Sequence, residues 1–243
     1  MDSLSQAVLG AAVAAACVPA RHRRKALLLG AALGTLPDLD VLIDYGDGVS
    51  NMTFHRGFSH SLFVLPLVGA LLWVALRAAW APVREAPRAW LVAVLLTLIT
   101  HPLLDAFTVY GTQVFWPLST PPVMGGSLFI IDPLYTLPLL VAMLVAAFAG
   151  EAPRGAVALA FGLSLSTAYA GWSVIAQRHV DSIAAASLAG TAHADAPRPK
   201  APSDLKADGW TLVTESDDTL VYMRDLEGAM GPVLDELESP AFD

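Results

Sequence analysis

Apolar stretches recur along the chain, separated by short polar connections, over residues 3–20, 26–43, 60–76, 89–108, 131–149 and 155–176. A helix crosses a bilayer with about 20 such residues. The pattern therefore predicts an all-α fold, a polytopic helical membrane bundle. The first stretch is Ala-rich and the weakest of the six, expected to lie in the interface or to pack inside the bundle. In the second, Gly30, Ala31, Ala32 and Gly34 permit close approach of a neighbouring helix.

Composition supports the same class: 55% of the 243 residues are hydrophobic and 15% charged, against about a quarter charged in soluble domains. Charge then divides the chain. There are 9 basic and 9 acidic residues before Arg178, and 5 basic and 13 acidic from it onward. The tail thus accounts for the whole net charge of −8. A neutral apolar body with an acidic tail speaks against nucleic-acid binding, which uses a basic face. The expected division is a transmembrane domain over 1–178, a linker over 179–204 and a small acidic tail over 205–243. Within the linker, "HADAPRPKAPSD" is Pro/Ala-rich. In the tail, "WTLVTESDDTLVYMR" holds two β-prone runs about a polar turn, which allows a β-hairpin; the last residues are expected to be disordered. Cys17 is the only cysteine, so neither an intrachain disulfide nor a cysteine-based zinc site is available. The N-terminus lacks the basic region of a secretory signal, so no cleavage is expected there.

The loops orient the bundle. Arg21, Arg23, Arg24 and Lys25 follow the first stretch; Arg77, Arg84 and Arg88 follow the third; Arg154 follows the fifth. The alternate loops, 44–59 and 109–130, offer only Arg56. Positive loops stay in the cytoplasm, so both chain ends are expected outside a cytoplasmic (inner) membrane that the chain crosses several times.

Four separate segments then carry imidazoles and carboxylates to one level near the outer face. Asp38 and Asp40 lie in "GTLPDLDVLI", with Asp38 13 residues after Lys25; His101 lies 13 residues after Arg88. At about 1.5 Å per helical residue both reach about 20 Å from the inner face. His55 and His60, in "TFHRGFSHSLF", precede the third stretch, and Asp132 opens the fifth. His101 and Asp105, four apart, share a helix face. Imidazole with carboxylate suits Zn²⁺ or a similar divalent ion, and the number of donors allows one or two ions. Ser59 and Ser61 read as capping or supporting groups. Arg56 reads as a lipid anchor or as a phosphate ligand.

"MDSLSQAVLGAA", "GTLPDLDVLI", "HRGFSHSLF", "THPLLDAFTVYGTQVFWP" and "LFIIDPLYTLPLL" occur in order over roughly residues 1–180. Together they resemble the YdjM-type family of membrane-bound proteins regarded as metal-dependent hydrolases. The family is thought to be distantly related to zinc-dependent phospholipases C, which implies phosphoester hydrolysis. The resemblance assigns metal ligation to Asp38, Asp40, His55, His60, His101 and Asp105, with Asp132 as a further candidate. Many members carry a histidine early in the first segment, where this chain has Gln6.

The expected function is hydrolysis of a phosphoester, a lipid being the natural substrate at headgroup depth, with membrane lipids as surroundings. A spare carboxylate among Asp38, Asp40 and Asp132 would act as base and Arg56 would steady the phosphate. The alternative is a transporter or a metal- or proton-handling membrane protein using the same side chains as a transit site. Such a protein needs ionisable groups near the midplane, and "KALLLGAAL" and "WLVAVLLTL" place none there after Lys25.

Overall fold

The computed structural model describes residues 1–195, 210–216 and 219–224. The chain forms two compact units, Met1–Ser182 and Ile183–Asp243. The first is helical: α1 Ser3–Cys17, α2 Arg23–Thr35, α3 Gly48–Phe54, α4 Val64–Ala79, α5 Ala81–Glu85, α6 Pro87–Asp105, α7 Pro133–Ala149 and the start of α8, Pro153–Asp195. In the second, β1 Trp210–Ser216 and β2 Thr219–Arg224 pair antiparallel, Trp210 opposite Arg224 and Ser216 opposite Thr219.

The Ala-rich first segment packs inside. Helix α1 lies against α2, α6 and α7, and Ala11, Ala12, Ala14 and Ala15 are buried. Its contact with α2 is backbone on backbone. A Cβ on Gly10 would stand 2.3 Å from the Gly30 carbonyl oxygen, and one on Gly34 2.3 Å from that of Gln6. No side chain larger than hydrogen fits at these positions, so glycine here sets how closely α1 and α2 approach. That approach carries the Gly34 carbonyl to the site below. Around this pair, Trp90, Leu98, Leu139 and Leu159 are wholly buried.

The six apolar stretches do not become six helices of spanning length. Among the described residues, α6 and the Pro153–Ser187 part of α8 are long and apolar enough to cross a membrane, while α1, α4 and α7 are shorter apolar helices. Residues 26–43 depart most from expectation. Helix α2 ends at Thr35, because Pro37 has no N–H with which to continue the ladder. The chain tightens into a 3-10 turn over Pro37–Leu42, with Leu39 N–H donating to the Leu36 carbonyl (3.2 Å). Residues 179–195, expected as linker, continue α8. "DSIAAASLAGTAHAD" is rich in good helix formers, and the first proline after it is Pro197. Residues 196–204, and the disorder expected at the chain's end, lie outside the described residues.

Candidate metal centre

Three breaks in regular helix build the site. The 3-10 turn after α2 presents Asp38 and Asp40. A second 3-10 turn, Phe58–His60, turns His60 inward before α4. The last turn of α6, which contains Pro102, carries His101 and Asp105. Asp38, His60, His101 and Asp105 each offer one donor atom, all within 4.8 Å of one another. His60, His101 and Asp105 are at most 1% exposed.

The distances repeat around the group. His60 Nε2 lies 3.0 Å from His101 Nε2, 3.2 Å from Asp105 Oδ2 and 3.5 Å from Asp38 Oδ1. His101 Nε2 lies 3.3 Å from Asp38 Oδ1 and 3.5 Å from Asp105 Oδ2. Nitrogen and oxygen donors about 2.0–2.1 Å from a tetrahedral ion stand about 3.3–3.4 Å apart. The donor set therefore fits a divalent ion in type, and these five separations fit it in spacing. Asp105 Oδ2 is buried and lacks a hydrogen-bond partner, the state of a carboxylate oxygen reserved for an ion.

Supporting contacts decide which imidazole nitrogens face inward. His101 Nδ1 is 2.6 Å from the Gly34 carbonyl oxygen. A carbonyl only accepts, so Nδ1 carries the proton and Nε2 presents a lone pair. Ser59 Oγ donates to Asp40 Oδ2 in a short hydrogen bond. Having given its one proton away, it accepts from His60 Nδ1 at 2.9 Å. His60 Nε2 is thereby also left with a lone pair. Two lone pairs facing each other at 3.0 Å repel unless a cation lies between them. Metal-binding histidines are oriented by hydrogen bonds of this kind. A proton is drawn to the same place: burial lowers the His60 pKa, but Asp105 and Asp38 outweigh it and hold it above the usual histidine range. Ion and proton therefore compete.

The remaining sequence candidates fall around this group. Asp40 is buried: Oδ2 accepts from Ser59 and from the Arg56 backbone N–H (2.9 Å), and Oδ1 lies 2.8 Å from His55 Nδ1 as an ion-pair contact. Burial alone would raise its pKa; these contacts reverse that and lower it. His55 is consequently outside the four-donor group. Its ring faces Tyr110 edge-on, with centroids 5.6 Å apart. Both line a cavity of about 340 Å³ with Asp40, Tyr45 and Asn51. Arg56 is buried with φ 63°, a conformation L residues rarely adopt. Asp40 holds its N–H, and the Gln113 N–H holds its carbonyl at 3.0 Å. So fixed, its guanidinium stacks on Tyr110 (4.6 Å) and brings Nε to 3.5 Å from Asp105 Oδ2. Asp132 stands apart. Its Oδ1 accepts the Leu134 and Tyr135 N–H groups at the start of α7, and its Oδ2 accepts the Tyr169 hydroxyl at 3.0 Å.

Sequence reasoning missed three parts of the site: Gln6, the Met1 amino group and the Gly34 carbonyl. Gln6 is buried and donates from Nε2 to Asp105 Oδ1 (3.1 Å) and to the His101 carbonyl (3.2 Å). The Met1 amino group also contacts Asp105 Oδ1. Together they occupy one carboxylate oxygen and turn the other toward the histidines. The departure from histidine at Gln6 was the available signal. The Gly34 carbonyl, a backbone atom, left none.

Comparison with known proteins identifies the family. "Inner membrane protein YbcI" of Escherichia coli (strain K12) is 40% identical over 91 residues, covering 37% of this chain and 51% of that protein. "Uncharacterized protein YfhP" of Bacillus subtilis (strain 168) is 30% identical over 121 residues, covering 48% of this chain and 35% of that protein. The chain thus spans about half the length of the first and about a third of the second. No solved structure matches. The family model described as YdjM inner membrane protein matches residues 1–180, the stretch that contains every donor of the cluster, and the chain belongs to that family.

Proposed function

We propose that the chain is a multi-pass, metal-dependent hydrolase of the cytoplasmic membrane. Its site lies toward the outer face and acts on a phosphoester, with a lipid headgroup as the natural candidate. The observation that carries this reading is the pair of imidazole Nε2 atoms facing each other at 3.0 Å between two carboxylates, each imidazole fixed from behind. Asp38, His60, His101 and Asp105 would hold one ion, and zinc suits the donors. When bound, a divalent ion supplies Lewis acidity and a water acidified toward neutrality.

Hydrolysis forms one P–O bond from water and breaks the P–O bond to the leaving alcohol. Asp38 is the more exposed donor, with a side chain 17% accessible. Its Oδ2 is the group to take the water's proton. His55, tied through Nδ1 to Asp40, can give a proton from Nε2 to the leaving oxygen at the cavity. Arg56 is held ready to bind the phosphoryl oxygens. Its uncommon backbone conformation, secured on both sides, is the kind retained where a side chain must point at a reacting group. Transport through the same cluster is the weaker reading, because residues 89–100 of α6 contain no ionisable side chain.

The test uses the full chain in neutral detergent. Its metal is removed and single divalent ions are restored before assay on phospholipid and nucleotide phosphoester panels. Turnover should return with at least one ion and be lost in His101→Ala. If no ion restores turnover on any phosphoester, the hydrolase reading falls.

A further inference from the structure

The opposite end of α4 carries a second polar concavity, with a different chemistry. A cavity of about 410 Å³ is lined by Trp73, Val74, Arg77, Ala78 and Arg84. It contains two guanidinium groups and, among the described residues, no carboxylate. The neighbouring acid, Glu85, is engaged elsewhere, 3.4 Å from Arg21 Nε and 3.3 Å from His22 Nε2.

Both arginines are held in place. Arg84 Nη1 donates to the Ala78 carbonyl at 3.0 Å, a carbonyl left open by the end of α4. One guanidinium nitrogen is thus used and the other donors are left for a ligand. Arg77 lies over the Trp73 ring, 5.3 Å from its centroid. Trp73 is fixed in turn by its indole N–H to the Pro87 carbonyl (2.8 Å).

One face of α4 leads into this cavity. Leu67, Leu71 and Val74 are 68%, 71% and 57% exposed. With Ala78 they follow the spacing of a single helical stripe. From Leu67 to Ala78 the stripe is about 16 Å long. An apolar track ending at two cations without a counter-charge matches an acyl chain ending at a phosphate. We propose that the cavity at the end of α4 binds the headgroup of an anionic phospholipid, with an acyl chain along the Leu67–Leu71–Val74 face. A free anion would use the arginines and leave the track unused. This site rests on membership of a membrane family and is independent of the hydrolase reading.

The test places the full chain in phosphatidylcholine vesicles containing increasing dibrominated phosphatidylglycerol, and follows quenching of tryptophan fluorescence. The difference between wild type and Trp73→Phe isolates Trp73. Phosphatidylglycerol should be favoured over phosphatidylcholine at Trp73 by about 25-fold, roughly fivefold for each arginine. The preference should fall to near unity in the Arg77→Gln/Arg84→Gln double variant and largely survive in Arg77→Lys/Arg84→Lys. Helical circular dichroism of each variant checks folding, and the lysine pair keeps the test open if the glutamine pair fails to fold. Equal quenching by brominated lipids of both headgroups overturns the proposal. So does a preference that survives in the glutamine pair, or displacement of phosphatidylglycerol by equimolar inorganic phosphate.

Discussion

Helix α6 begins among arginines and ends among histidines and aspartates, and the two ends use their polar side chains in opposite ways. At the arginine end the partners of Arg23 and Arg24 are backbone. Arg23 Nη1 donates to the carbonyls of Gly150 (2.5 Å) and Ala152 (3.0 Å), and Arg24 Nε to that of Ala147 (2.8 Å). The Ala147 carbonyl is one that the last turn of α7 leaves open, and Gly150 and Ala152 lie in the connection to α8. At the histidine end the backbone instead holds side chains from behind, and their remaining lone pairs aim at one another. A polar group spent on the backbone completes the fold. One fixed by the fold but left facing its own kind is kept for a ligand.

The most severe break in that contrast is removal of one converging donor. His101→Ala should reduce bound metal from about one ion per chain to near zero by elemental analysis, with helical circular dichroism unchanged. A variant that keeps its ion would place the ligands elsewhere. The matching change at the other end is Arg23→Ala. Arg23 is 4% exposed, and its loss strands the Gly150 carbonyl, while the Ala152 carbonyl keeps the Gly155 N–H at 3.1 Å. Stability should fall by about 2–3 kcal/mol in thermal or denaturant unfolding, while the metal content of the folded fraction stays unchanged.

These two ends were unequally legible in the sequence. Arg and Lys positions alone bring His60, His101, Asp38 and Asp105 to one level, because helical rise converts residue spacing into depth. Which of the candidates would touch was not legible. Asp40 and Asp38 are two residues apart, yet the 3-10 turn sends one to His55 and Ser59 and the other to the histidines. The apolar stretch 26–43 read as one span because hydropathy does not register the N–H that Pro37 lacks. The Gly34 carbonyl could not be anticipated from residue type, although the small residues that bring α1 onto α2 could.

A smaller effect separates support from ligation. Ser59→Ala removes the hydroxyl that fixes the His60 tautomer but no donor. Metal affinity should fall by about 10- to 100-fold in competition with a chelator, with ligand number unchanged. Ser59→Thr, which keeps the hydroxyl, should recover most of it. Equal affinity in Ser59→Ala would mean that Asp40 and Ser59 only stabilise the turn.

The smallest expected effect falls at Asp132, a further ligand candidate by type and depth. Asp105 ends α6, and its Oδ2 is buried without a hydrogen-bond partner. Asp132 begins α7, where unpaired N–H groups attract a carboxylate, and both of its oxygens are engaged there. A helix start consumes an aspartate, whereas a helix end, already rich in open carbonyls, has no backbone donor to offer one. Asp132→Ala should therefore behave as the loss of a cap, lowering stability by about 1 kcal/mol and leaving bound metal unchanged. Asp132→Asn, an equally good cap, should recover that stability. Loss of the ion from Asp132→Asn would put Asp132 back among the ligands, because asparagine restores the cap but not the charge.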